Sequence, residues 1–433
     1  MNEKNQCFKG WETLVIYYIN MFNNIVEEKA LRSTSVAVRL LIFFLSLTFL
    51  VSCDDFRINW ESQNYPIKKV SPKLKVYIEN SGSMDGYMCE GSELKDAVYD
   101  YISSLNSYAS STNLFYINSQ VVPFRGEIQT FIRDLNPTSF RAVSGNRTNS
   151  DLADMLQKVV AGTDKNTVSV FVSDCILDVP QGDARDYFVN RQIDLKNAFL
   201  KKVVHDKNFG VEIIQLESRF SGKYYGTDGI TPLNNVKRPY YMWVVGDKNI
   251  LAYLNSHISL SKIKHGYLNM ASFTTPSEVS YDCFNRYMKD GKRLNQNKKQ
   301  MELKSDRSGD FVFVIKADLY PTLVDEKTLT NTENFKVSNN FVKVDHVEKI
   351  EDELYSHLIT VSISDRAKAS GVVIDLTPEQ LPSWVKKSND DTGSSIKTKL
   401  NKTSGIQYII GGVSDAYNEY KSRTKIKFTI TKN

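Results

Sequence analysis

Histidine is scarce in this chain, with five in 433 residues, scattered at His205, His257, His265, His346 and His357. No HExxH, no paired CxxC and no Gly-rich Walker loop occurs, so zinc-hydrolase and P-loop chemistry have no sequence support. Cysteine is equally rare, at five. The 55 Lys and Arg against 50 Asp and Glu leave a net charge of only +5. Without basic clustering, that excludes a nucleic-acid footprint. The longest apolar run is Leu40 to Val51, LLIFFLSLTFLV; at about a dozen residues it falls well short of the roughly 20 that span a bilayer as a helix. What remains is globular: 41% apolar and 24% charged residues can build real cores, and 23 Tyr and 22 Phe suit strands and binding surfaces. The length predicts two folded units.

The short apolar run has the length of a signal-peptide core. Lys29, Arg32 and Arg39 supply its positive flank. Leu50-Val51-Ser52-Cys53 follows and resembles the lipobox read by lipoprotein signal peptidase. The resemblance implies cleavage before Cys53, acylation of that cysteine (palmitate or a similar chain), and a membrane-anchored bacterial lipoprotein on the periplasmic or surface side of the cell envelope. Residues 1–53 are then an N-terminal extension and signal peptide, with translation expected to start at Met21. Residues 54–72 are polar, carry Pro66 and Pro72, and read as a tether. Past Cys53 stand Cys89, Cys175 and Cys283. Three thiols allow at most one disulfide; Cys89 and Cys175 are either a pair or ordinary buried thiols.

From Lys73 the pattern alternates strand and helix. Leu74 to Asn80, Asn113 to Ser119, Val168 to Asp174, Val211 to Ser218 and Pro239 to Gly246 read as strands. Helical spacing runs over Ser92 to Tyr108, Ser150 to Val160 and Asn190 to His205. Alternation of this kind predicts an α/β layer over residues 73–260 with a mainly parallel sheet. Its ligand sites belong at the carboxyl ends of the strands.

The first strand runs into Glu79-Asn80-Ser81-Gly82-Ser83-Met84. This segment resembles the metal-ion-dependent adhesion site of von Willebrand factor A domains, whose signature is Asp-x-Ser-x-Ser. The family adds a Thr from a second loop and an Asp after a later strand; Thr148 and Asp174 match these by position. The resemblance implies a Rossmann-like fold and a Mg2+ or Mn2+ ion held by Glu79, Ser81, Ser83, Thr148 and Asp174. Oxygen-only ligands suit such hard cations. An ion with few anionic ligands keeps an open position for a carboxylate from a protein partner. The chain departs from the family at the first position, where Glu79 stands for Asp and carries its carboxylate farther out. Asp85 and Asp178 read as solvated loop carboxylates, Asn149, Ser150 and Asp151 as the cap of the next helix, with Ser150 the substitute for Thr148.

Residues 261–433 show short strands spaced by polar loops: Phe311 to Leu319, Asn340 to Glu348, His357 to Ser364, Ser370 to Thr377 and Thr424 to Thr431. These predict a β-rich, sandwich-like second domain. Trp384 reads as a packing residue. No catalytic constellation is visible, and the chain is read as a binding protein, not an enzyme. Its leading function is capture of a protein partner's acidic side chain through the metal site, with membrane attachment at Cys53 and no nucleic acid. The alternative is a structural or assembly factor of an envelope complex with a degenerate metal site.

Overall fold

The computed structural model describes residues 56–432, apart from 62–63, 149–150, 178, 180–183, 261–262, 264, 286–299, 303–310 and 366–367. Cys53 and the signal-like run lie outside the described residues. In chain order the first elements are β1 (Phe56–Trp60), β2 (Lys73–Glu79), α1 (Glu93–Asn106), β3 (Ser111–Ile117) and β4 (Val121–Phe124). Then come α2 (Ile128–Arg133), α3 (Pro137–Arg141), α4 (Leu152–Ala161), β5 (Thr167–Ser173) and α5 (Ala184–His205). A long pair of strands follows, β6 (Phe209–Gly226) and β7 (Gly229–Asp247), then α6 (Lys248–His257) and β8 (Tyr267–Phe273).

Seven of these strands form one sheet in the order β4-β3-β2-β5-β7-β6-β8. β5 is buried along its whole length, as a strand covered on both faces must be. Alternation sorts its side chains. Val168, Val170 and Val172 meet Leu74, Val76 and Ile78 of β2 under α1 and α6. Phe171 and Tyr77 face the other way, toward α4 and α5. That second face is completed from far along the chain by α7 (Ile406–Ala416), whose Ile406, Ile409, Ile410 and Val413 are fully buried there.

The parallel character is narrower than the alternation predicts, and the sheet is not mainly parallel. β2 pairs in parallel with β3 and β5. The other neighbours, β3 with β4, β5 with β7, and β6 with both β7 and β8, are antiparallel. The cause is local. Only Thr227 and Asp228 separate β6 from β7, so the chain has no crossover helix and must turn straight back. The returning β7 lies against β5.

The remaining strands are β9 (Tyr281–Asn285), β10 (Gln300–Glu302), β11 (Phe311–Ala317), β12 (Phe335–Val337), β13 (Val342–Lys349), β14 (His357–Ile363) and β15 (Gly371–Leu376). Two short ones, β16 (Asn389–Asp390) and β17 (Thr403–Ser404), pair with each other, and β18 (Thr424–Lys432) ends the series. β10-β1-β18-β15-β12 and β13-β14-β11-β9 make two antiparallel sheets. They share one apolar core, in which Phe313 of one meets Phe428 of the other edge-to-face at 5.3 Å. Part of the stretch read as a tether is therefore a strand: β1 pairs with β10 and β18. The molecule is mixed α/β, with two antiparallel sheets, a seven-stranded sheet that mixes both senses, and the short parallel pair β16–β17. Among the described residues no helix is long and apolar enough to cross a membrane.

Candidate functional site

Parallel pairing of β2 with β5 brings their carboxyl ends to one edge of the sheet, and the chain leaves β2 for β3 on one side and for β5 on the other. Ligand crevices of α/β sheets form at such a reversal. Glu79 ends β2, Ser173 ends β5, and Asp174 follows it. The Ser173 hydroxyl donates to Glu79 Oε2. Beyond β2 the chain turns so that the hydroxyls of Ser81 and Ser83 lie 2.9 Å apart. The Ser81 hydroxyl also faces the Glu79 carboxyl, and that of Ser83 the Asp174 carboxyl, each favouring the charged form of its neighbour. Four of the five expected ligands thus converge. Glu79, Ser81 and Asp174 are buried, while Ser83 is half-buried.

Thr148 is engaged elsewhere. Its loop packs on the serine turn through Gly82 N–H to Arg147 O at 3.2 Å. Its hydroxyl donates to Asn146 Oδ1 at 2.7 Å. Asn149 and Ser150 lie outside the described residues. Asp151 caps α4, accepting from the amides of Ala153 and Asp154.

Burial pushes Glu79 up to about 8, the negative charge of Asp174 adds to the rise, and the Ser173 and Ser81 hydroxyls oppose it. Asp174 is raised by burial too, against Ser83, the Ile176 N–H and the Arg238 charge. Asp174 Oδ1 accepts from Ile176 N at 3.2 Å, whereas Oδ2 is buried with no hydrogen-bond partner. The next residue, Cys175, holds a left-handed backbone (φ 53) that non-glycine residues rarely adopt. Its amide donates to Ser173 Oγ at 2.8 Å, and its thiol accepts from Trp243 Nε1 at 3.3 Å. Cys89, Cys175 and Cys283 are all free thiols, so Cys89 and Cys175 are not a pair.

Two arginines were not foreseen. Arg147 Nη2 donates to Ser81 O at 3.0 Å and to Asp85 Oδ1, and its Nε donates to Asn80 Oδ1 at 3.1 Å. Arg141 Nε reaches Asp85 Oδ2 at 2.8 Å. Asp85 is therefore an ion-paired anchor for the serine turn, not a solvated carboxylate. Asp178 lies outside the described residues. A positive residue in a Gly-Asn-Arg-Thr loop carries no local signal for such a clamp. Trp384 packs half-buried, its Nε1 on Met270 O at 3.2 Å.

Two hydroxyls, an orphaned carboxylate oxygen and a second buried carboxyl form an oxygen-only donor set that fits a hard divalent cation. Glu79, Ser81, Ser83 and Asp174 would hold it. Among the described residues no cluster of three or more His, Cys, Asp or Glu is arranged to hold a metal, so such a site relies on its hydroxyls. The chain matches no protein-family model and no curated protein.

Proposed function

We propose that this chain is a cell-envelope lipoprotein, anchored at Cys53, whose α/β layer is a von Willebrand A-like domain that captures an acidic side chain of a protein partner. The observation that carries the reading is Asp174 Oδ2, buried without a partner beside the paired hydroxyls of Ser81 and Ser83. A bound Mg2+ or Mn2+ would supply an open position for the partner's carboxylate. The chain's own residues do the rest. Ser173 orients the longer Glu79 side chain, and Arg147 with Asp85 holds the serine turn in place. Isothermal titration of Mg2+ and Mn2+ into the protein tests it, with Asp174→Ala and the Ser81→Ala/Ser83→Ala pair as controls. Saturable binding lost in both variants is the expected result; absence of binding in the parent protein overturns the metal part.

A second reading, an assembly factor with a degenerate site, is favoured by one feature. The donors already satisfy one another, Ser173 on Glu79 and Ser81 on Ser83, and the Thr148 hydroxyl is engaged by Asn146. Partner crosslinking that survives chelation would select it.

A further inference from the structure

We propose that the small cavity beside the candidate cation site is a selectivity pocket, which takes an apolar side chain lying next to the acidic residue of the same protein partner. The inference rests on the cation reading above. Tyr225 joins the two features. Its hydroxyl lies over the serine turn, only 3.3 Å from where a Cβ on Gly82 would stand, and its ring lines the cavity. Leu177, on the loop that leaves Asp174, lines it as well.

The cavity measures about 180 Å³. That is below the roughly 300–1,000 Å³ of small-molecule pockets and suits one side chain. Its walls carry no charge: Leu177, Val179, Tyr225 and Ile230 contribute apolar surface, and Gly393 keeps it open. Gly393 sits at φ +62, and a Cβ there would stand 2.9 Å from Ser404 Oγ. The nearby Asp228 accepts from Ser395 N at 2.8 Å through Oδ2. Ser404 Oγ is buried without a hydrogen-bond partner, a waiting acceptor or donor for a partner's main chain. Ile230 and Tyr225 stand 58% and 40% exposed, an apolar rim at the tip of a ribbon. The wall is rigid, because Thr227 N and Oγ1 bond Gly393 O at 2.9 Å and Thr392 O at 2.8 Å. Tyr225 belongs to both features, which suits nearby side chains of one extended partner, whose consecutive Cα atoms are about 3.8 Å apart.

The test uses the full chain in detergent with Mg2+ and synthetic heptapeptide amides. Each has a central Asp in a glycine background, and one Leu is moved through the flanking positions. Leu at one particular offset is expected to tighten binding about tenfold or more over the all-glycine peptide, the worth of burying such a side chain. Val179→Trp, which fills the pocket, and Ile230→Asp, at an exposed rim position, should each shrink that Leu-to-Gly ratio toward one. A gain that is equal at every offset, or that both variants leave intact, overturns the pocket while the cation site stands. If no peptide binds in a Mg2+-dependent way, the cation reading fails and the pocket falls with it.

Discussion

Glu79 and Asp174 are two acids in one dry place, and each is held above its ordinary value by burial. A carboxylate charge kept in so dry a place works against the fold when no cation offsets it. Asp174→Asn is therefore expected to stabilise the metal-free protein, by about 1–3 kcal/mol in denaturant unfolding. The same variant should lose any rise in melting temperature that Mg2+ gives the parent. Glu212 offers an independent case. It is fully buried on β6, with Oε1 bonded by Asn255 at 2.5 Å and Oε2 without a partner. Burial pushes it up to about 8 from 4.5. Between those values the folded chain keeps a proton that the unfolded chain has released. Its contribution to stability is full below the unfolded value and is lost as pH rises through the folded one. Glu212→Gln should flatten that fall, leaving the variant more stable than the parent at pH 8 by an amount of order a few kcal/mol. Unfolding curves at pH 5 and pH 8 check it, and equal differences at both would refute it. Among the site residues, Glu79, Ser81, Ser83 and Asp174 were legible through their resemblance to a known motif, set at or just after the ends of strands whose apolar patterns are plain. Arg147 and Cys175 were not, since a clamp and a strained backbone are properties of the folded loops.

Strands with long buried runs, such as β2 and β5, were legible, and so were the amphipathic α1 and α4. The β6–β7 ribbon was half legible. Its two apolar cores read as strands, but Arg219 to Arg238 between them was assigned to no element. Yet Phe220 and Tyr224 alternate inward there, and Asp228-Gly229 at the tip is the dipeptide that tight hairpins favour. The direction of β7, and with it the antiparallel character of the sheet, follows from that overlooked turn. In the sequence, Gly405 to Tyr420 could contain a helix, but so apolar a segment does not say which surface it covers. Its docking depends on Gly412: a Cβ there would meet Gln192 O of α5 at 2.5 Å and Leu195 Cβ at 3.0 Å. Gly412→Ala should accordingly push the two helices apart and cost about 1–3 kcal/mol in chemical unfolding, despite alanine's better helix propensity. A neutral or stabilising result would mean that α7 yields easily.

The α/β layer draws on residues well past 260. β8 pairs with β6, and α7 covers the face that holds Trp243, Phe188 and Phe199. A fragment of residues 73–260 is expected to bind a hydrophobic dye and to have weak near-ultraviolet circular dichroism, as loosely packed states do. A sharp, cooperative melt of that fragment would show that the layer stands alone. Sequence patterning sorted the chain into an α/β part and a β part, because periodicity is local. It could not reveal that the parts trade segments, because docking partners are chosen by surfaces that exist only once folded.

The same exchange runs through the second core, where β18 lies between β1 and β15. Asn59 Nδ2 on β1 bonds Thr431 Oγ1 on β18 at 2.9 Å, across a separation of 372 residues. Ordering so large a loop must precede any gain from the contacts it allows, which slows folding. That sheet is thus bound to assemble late, long after the central β2–β5 pairing has become possible, and until then its apolar strands stand open to wrong neighbours.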